Sequence, residues 1–391
     1  MRTQVGIVGA GPAGLMLSHL LHLAGIQSII IEDRSRSYCE NRIRAGLMEN
    51  WVAQMLIETG VGERLKREAM VHDGIFLAFN NEAHKLDFTK LVNKHVYIYD
   101  QKEVVTDLIA HRLKQGGQIL FEVKDVSVDG FTNGGKPTIR FQHDGKAQAI
   151  ECDFIAGCDG FHGICRPSLP EGSWAGYDRV YPFAWLGILS ESPPPEKELI
   201  YAYHENGFAL FSMRGPALSR LYLQVTPDEN IDNWSDDRIW EELERRLQGV
   251  RPLKRGTIVQ KGITPMRSYV AEPMQYGRLF LAGDSAHIVP PTGAKGMNLA
   301  MADVRVLARA FETFFRKHQT EALERYSATV LKRVWKGQRF SWWMTQMLHR
   351  VHGGDYAAFD MKRQLAELDY VASSEAASIS LAENYAGLPI D

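Results

Sequence analysis

The sequence predicts a mixed α/β fold, of the α+β kind in its middle, and three observations carry that prediction. An apolar run at the N-terminus ends in Gly9-Ala10-Gly11-Pro12-Ala13-Gly14, passes into a helical pattern, and is followed by a second apolar run that stops at Glu32. Between 74 and 225, strand-like runs alternate with turns rich in Gly, Asn and Pro. From Asn298 onward the apolar residues recur almost throughout with a helical period.

Taken in order, residues 3–9 form a short strand, and a helix runs from about Pro12 to Ala24 with Gly25 as its stop. The run "SIIIE" is the next strand. A strand–helix–strand unit of about 30 residues is the crossover of a parallel sheet, so the chain starts as a Rossmann-like domain. The runs "GIFLAFN", "KHVYIYD", "FAWLGIL", "LIYAYH", "FALFSM" and "SRLYLQV", with turns such as "SESPPPEKE" and "HENG", predict a mixed or antiparallel sheet inserted into it. In "DFIAGCDGFHGICR" a strand runs into Cys158-Asp159-Gly160. In "LFLAGDSAHIVPPTGAKGMNLA" a strand stops at Gly283, an acid follows at once, and a stiff turn of prolines and glycines precedes a helix. There is no internal repeat and no low-complexity tract.

A chain of 391 residues suits two domains, or one with an insertion. Its net charge of -2 offers no basic surface to nucleic acid or anionic lipid. The longest apolar runs are strand-sized, short of the ~18 residues of a membrane span. "MRTQVGIVGAG" is too short before its glycines for a signal peptide, so a cytoplasmic protein is expected. Cys39, Cys152, Cys158 and Cys165 form no CxxC pair and no zinc spacing; they read as buried or idle thiols, and no metal is expected.

The glycine cluster has a specific chemistry. Gly9 permits the tight turn, Gly11 lets backbone approach a pyrophosphate at a helix N-terminus, and Gly14 lets helix and strand pack closely. Glu32 would accept hydrogen bonds from a ribose. This motif alone leaves FAD and NAD both open. Elsewhere, Ser212 and Arg214 stand two apart on one strand, and Arg220 and Tyr222 two apart on the next, so each pair shares a face. Arg, Ser and Tyr on neighbouring strands can make a carboxylate receptor, a guanidinium fork with two hydroxyl donors. Taken alone, an Arg on a strand is more commonly part of a solvated face, and Tyr201 and Tyr385 are more commonly packing residues.

Together, GxGxxG at 9–14, "DG" at 159–160 and "GD" at 283–284 resemble the three fingerprints of the flavin-dependent aromatic hydroxylases of group A. The longer strings "RIRAG" (42–46), "VPPTGAKGMNLA" (289–300), "FSWWMT" (340–345) and "AENYAGLP" (382–389) extend that resemblance over the whole chain. It implies a discontinuous Rossmann-like FAD-binding domain of the glutathione-reductase type over 1–71, 98–180 and 266–297. It further implies a substrate-binding sheet domain over 72–97 and 181–265, and a helical C-terminal or interface region over 298–391. The implied reaction is hydroxylation of 4-hydroxybenzoate to 3,4-dihydroxybenzoate with NAD(P)H and O2, through a flavin C4a-hydroperoxide, in the degradation of aromatic compounds.

The same resemblance distributes roles. Asp284 would bond the ribityl chain, and the helix after it would face the isoalloxazine and stabilise charge on the reduced ring. Arg42 and Arg44 would lie at the pyrophosphates, with Gln101, Asp159, Arg220, Lys295, Gly296, Met297 and Asn298 beside the cofactor. Ser212, Arg214 and Tyr222 would hold the substrate carboxylate. Tyr201 and the Pro291 carbonyl would contact its phenol, Tyr385 would pass the proton on, and His72 would exchange it with solvent. The reductant would bind without a second Rossmann unit, at His162, Arg166 and Arg267, with Arg34 and Tyr38 reading a 2′-phosphate. In the family a flavin that swings between inner and outer positions gates the reaction.

Two positions depart from the family pattern. Asp33 replaces an arginine and would repel a phosphate, but Arg34, Arg36 and Tyr38 remain to bind it, so NADPH is expected with NADH as the alternative. Asp100 stands before Gln101 in place of a small residue. Trp335, Trp342 and Trp343 on the C-terminal helices, with the family likeness, predict a homodimer. Rival substrates are 3-hydroxybenzoate, salicylate and 4-aminobenzoate, but a displaced hydroxyl would break one end of the grip. A halogenase is disfavoured because no WxWxIP string occurs, and a non-catalytic flavoprotein would need no proton chain.

Overall fold

The computed structural model describes residues 1–42, 44, 46–132, 134–351, 353 and 355–389; Ile43 and Ala45 of the "RIRAG" string lie outside the described residues. The N-terminal unit is as the sequence predicts: strand Val5–Val8, helix Pro12–Leu23, strand Ser28–Ile31. Leu15, Leu17, Leu21, Ile7 and Ile30 are all fully buried, which is why the apolar run and the helix stripe come together. Val5–Val8 lies at the centre of a sheet, parallel to Ser28–Ile31 on one side and Phe154–Gly157 on the other. Beyond Phe154–Gly157 comes Leu279–Leu281, also parallel. The strands that end in GxGxxG, "DG" and "GD" are therefore three neighbours, and their motifs gather at one C-terminal edge, where open α/β sheets bind ligands.

An antiparallel sheet of Lys124–Asp129, Thr138–His143 and Lys146–Glu151 was not anticipated. Its cue was the Asp144-Gly145 pair, where both residues take positive φ (52° and 70°) as a tight hairpin turn requires.

The inserted sheet has eight strands and is mixed, because Gly74–Phe79 runs parallel to Leu199–Ala202 while its other neighbours are antiparallel. Ile188, Ile200, Phe211 and Leu221 on one face pack on Trp240, Leu243 and Leu247 of helix Asp236–Leu247. Tyr201, Leu210, Trp185 and Tyr222 belong to the other face, which meets the C-terminal helices through Phe340, Met344, Met347 and Tyr385. The strands Ala175–Glu191 and Thr257–Glu272 pair along nearly their whole length. The boundaries expected at 180/181 and 265/266 thus fall within continuous strands, with an irregularity between Val180 and Ala184 marking the passage. The C-terminal region is helical, as expected: Gly296–Lys317, Glu321–Glu324, Tyr326–Leu348, Ala357–Ser373 and Glu375–Ala386.

Candidate active site

The cleft at the edge of the parallel sheet is built from the glycines outward. Gly9 has φ +106°, and a Cβ there would lie 2.3 Å from the Cys158 carbonyl oxygen, so the first motif packs directly on the second. A Cβ on Gly14 would lie 2.0 Å from Gly9 O, whereas nothing stands within 4 Å of one on Gly11. The turn is closed against the protein at Gly9 and Gly14 and open at Gly11. Glu32 closes the far side: its carboxylate accepts from Ala10 N (2.6 Å) and Arg34 N (3.0 Å). Burial, with Asp33 adjacent, raises its pKa to about 7.

The second and third motifs are tied to the same edge. Asp159 accepts from Cys165 N at 2.8 Å, while its other carboxylate oxygen is buried with no partner. Ser285 Oγ donates to Gly157 O (2.6 Å), and Arg166 bridges Phe161 O (2.6 Å) and Ser285 O (2.9 Å). Asp284 keeps solvent contact although protein encloses it, which is the geometry of a group on a cleft wall. Desolvation raises its pKa, and His287, Arg44 and Arg42 pull it back. Arg44 feels Arg42, Asp284, Tyr38 and Arg220, so it sits where the cleft reaches the inserted sheet. An open glycine turn, a ribose-ready acid, an orphaned acceptor and an arginine-flanked aspartate fit FAD, from its diphosphate to its ribityl chain.

Beneath this wall lie charges that sequence reading missed. Asp303 Oδ2 accepts from Gly283 N (2.9 Å) and lies 2.6 Å from His287 Nε2, all of it buried. Burial opposes a charge on His287, but Asp303 and Asp284 outweigh it and raise its pKa. Glu49, also buried, ties the "GAKGMN" segment down: Lys295 Nζ lies 2.5 Å from Glu49 Oε1, Arg333 donates to Oε2 at 2.9 Å, and Glu49 N donates to Asn298 Oδ1 at 2.9 Å. Lys295 also donates to Tyr385 O (3.0 Å). Its ammonium is turned to Glu49 and Tyr385. Gly296 and Met297 open the long helix Gly296–Lys317, and Gln101 opens Gln101–Lys114.

On the inserted sheet, the register pairs Ser212 with Arg220 and Leu210 with Tyr222, which puts Ser212, Arg220 and Tyr222 on one face. The ladder is irregular between Met213 and Gly215, and Arg214 is the residue it leaves out, so a bulge re-aims its side chain. Arg214 points at Asp100, Nη1 to Oδ1 3.0 Å. Ser212 Oγ and Tyr222 Oη have only weak contacts, 3.4 Å to Met213 O and 3.4 Å from Arg220 Nε.

On the same face the hydroxyls of Tyr201 and Tyr385, 184 residues apart in sequence, meet at 2.6 Å. Tyr201 also reaches Thr292 O at 3.2 Å, next to the Pro291 carbonyl, which accepts from Ala294 N. Burial raises both tyrosine pKa values, so both stay neutral near neutral pH. His72, expected to exchange the proton with solvent, has no direct access to it: its side chain is 0% exposed and neither ring nitrogen has a hydrogen bond. Desolvation lowers its pKa to about 4. Its neighbour is buried Glu198, 3.3 Å from Nδ1, an acid hidden in the charged run "EKELIY" that reads as solvated surface.

The residues expected to bind the reductant form two clusters. Arg34 and Arg42 both stack over the Tyr38 ring, at 5.4 and 5.9 Å. Arg166 and Arg267 lie over Phe161 at 4.5 and 4.7 Å, with exposed His162 at its edge. Arg267 is also ion-paired with Asp178. An open cleft of about 560 Å³, lined among others by Trp51, Glu58, Arg305 and Arg309, contains none of these residues. Among the described residues no cluster of His, Cys, Asp and Glu could hold a metal ion, and no helix is long and apolar enough to cross a membrane.

Fold and cleft define a flavoprotein, and the chain belongs to the FAD binding domain family, whose model matches residues 2–341. Within it, the p-hydroxybenzoate hydroxylase of Acinetobacter baylyi is 46% identical over 100% of this chain and 96% of its own length. Among solved structures, p-nitrophenol 4-monooxygenase from Pseudomonas putida has a TM-score of 0.84 over 100% of both chains at 18% identity. Aklavinone-11 hydroxylase, solved with FAD and aklavinone, has a TM-score of 0.74 over 89% of this chain and 69% of its own at 21% identity. These two share the fold.

Proposed function

We infer that this protein is a flavin-dependent monooxygenase that converts 4-hydroxybenzoate, NAD(P)H, O2 and a proton into 3,4-dihydroxybenzoate, NAD(P)+ and water. The full-length likeness to a p-hydroxybenzoate hydroxylase supports it. The observation that carries it in the site is the Tyr201–Tyr385 pair on the sheet face that also bears Ser212 and Tyr222.

When bound, FAD would supply the redox chemistry, the acceptance of a hydride from the nicotinamide cofactor and the reduction of O2. The glycine turn and Glu32 would hold its diphosphate and ribose, Arg42 and Arg44 its diphosphate, and Asp284 its ribityl chain. Arg214, Ser212 and Tyr222 would grip the substrate carboxylate, which places the phenol at Tyr201 and fixes which ring carbon is presented. A phenol ionises near ~10, and the phenolate is the more reactive nucleophile at the carbon ortho to its oxygen. Tyr201 can accept the phenolic proton while donating its own to Tyr385; because both stay neutral, the pair relays a proton and holds none. Beyond Tyr385, His72 and Glu198 are buried, so exchange with solvent requires an opening step. The two arginine–aromatic clusters would bind the reductant, and Asp33 beside Arg34 weakens any 2′-phosphate contact (Nε–Oδ1 3.7 Å).

The test is spectroscopic. The FAD-loaded protein with 4-hydroxybenzoate should show the phenolate near-ultraviolet band well below pH 10, and Tyr201→Phe should move that ionisation up by at least about one unit. A bound phenol that ionises at its free-solution pH in the native protein would contradict the proton chain.

A further inference from the structure

The guanidinium that would receive the substrate carboxylate already faces a carboxylate. Arg214, with its side chain only 8% exposed, is ion-paired to Asp100, and it is in ion-pair range of no other acid among the described residues. Asp100 is placed to do something else. It is the N-cap residue of helix Gln101–Lys114, with extended backbone angles (φ −57°, ψ 138°). An aspartate there ordinarily accepts an N–H of the first helical turn. This one makes no such bond.

Its backbone cannot drift. Tyr99 N donates to Gly46 O at 2.8 Å, and a Cβ on Gly46 would fall 2.4 Å from the Asp100 Cα. Only the side chain is free to turn, and it turns away from its helix toward Arg214. The pairing is one of charge: Asp100 Oδ1 is buried and makes no directional hydrogen bond. A better aligned carboxylate could replace it, since a guanidinium carries five donors in a planar fork and none of them makes a directional hydrogen bond to the buried Asp100 Oδ1.

We propose that Asp100 is an internal competitor for the substrate carboxylate, holding Arg214 in the empty site and setting how tightly aromatic acids bind. The proposal rests on Arg214 being the carboxylate receptor. A buried guanidinium without a partner is costly, so the pair keeps Arg214 in place before a ligand arrives. The entering acid must then displace Asp100 or share the fork with it, and two carboxylates at one guanidinium repel. Either route weakens acids and leaves a neutral analogue untouched. The contact also joins the segment carrying Gln101 to the inserted sheet, so displacement of Asp100 loosens that join as the acid enters.

Calorimetric titration of the FAD-loaded protein with 4-hydroxybenzoate and with 4-hydroxybenzamide tests this. Asp100→Asn should tighten the acid roughly tenfold, as removal of a partly solvated like charge should, and shift the amide less than about twofold. Asp100→Ser, which can cap the helix, should do the same and guards against a local effect of the amide side chain. Unchanged or weaker acid binding in both variants, with Arg214→Gln still costing at least about tenfold, would overturn the proposal and leave the receptor standing. If Arg214→Gln leaves acid binding unchanged, the receptor reading fails and the proposal falls with it. Equal tightening of acid and amide would also overturn it, because the effect would then not act through the carboxylate.

Discussion

At the scale of single residues, the charges beneath the cleft determine behaviour that the motifs do not. His287 has a folded-state pKa above its unfolded value. Its protonation therefore contributes stability that is full below about pH 6.5 and is lost as pH rises through the folded value. Urea unfolding at pH 6 and pH 9 should show the native protein losing more stability over that interval than His287→Gln; equal losses would mean the imidazole is neutral beside Asp303. Arg214→Gln should raise KM for 4-hydroxybenzoate roughly 10- to 150-fold, the worth of a charged hydrogen bond, with a smaller change in kcat. Steady-state kinetics on the variant decide this. What the sequence shows at this scale is uneven. The strand alternation makes Ser212, Arg220 and Tyr222 legible as neighbours, but the bulge that re-aims Arg214 and the acid it meets come from the fold. Asp303 left a readable trace, an acid within the apolar "NLAMADV" of a helix. Glu49, in "LMENW", left none, because nothing in that string says that Lys295 and Arg333 converge on it.

At the scale of elements, the account turns on three strand ends meeting at one edge. The glycine turn separates folding from cofactor binding. Gly14→Ala should destabilise the apoprotein by more than the ~1–3 kcal/mol typical of an overpacked core, since its Cβ would meet the Gly9 carbonyl at 2.0 Å. Gly11→Ala meets nothing within 4 Å, so the apoprotein should melt normally and yet bind FAD at least about tenfold more weakly. Thermal melts of both apoproteins and FAD titrations separate the two; similar melting temperatures for the two variants would contradict the geometry. The first strand, helix and second strand were legible because period and capping agree locally. The antiparallel sheet over Lys124–Glu151 was not, because its half-solvated strands alternate weakly and the turn signals at Asp129-Gly130 and Asp144-Gly145 do not by themselves say that strands flank them.

At the scale of the whole molecule, two distant segments complete one site. Tyr201 lies on the inserted sheet and Tyr385 on the last helix, so the proposed proton path requires the C-terminal helices to be docked. Those helices also show Trp335 and Trp342, 41% and 40% exposed, while Trp343 is held by Glu367 at 2.8 Å. We propose that the exposed tryptophans meet a second copy of the chain. Sedimentation should give a dimer, and Trp342→Asp should shift it toward monomer; a monomeric native protein would remove that part of the account. The most direct measurement is NAD(P)H oxidation by the FAD-loaded protein in air, with and without 4-hydroxybenzoate, with the aromatic product identified. The account predicts strong stimulation by the acid and formation of 3,4-dihydroxybenzoate. Stimulation that yields only hydrogen peroxide, or no response to any hydroxybenzoate with either NADPH or NADH, would contradict it.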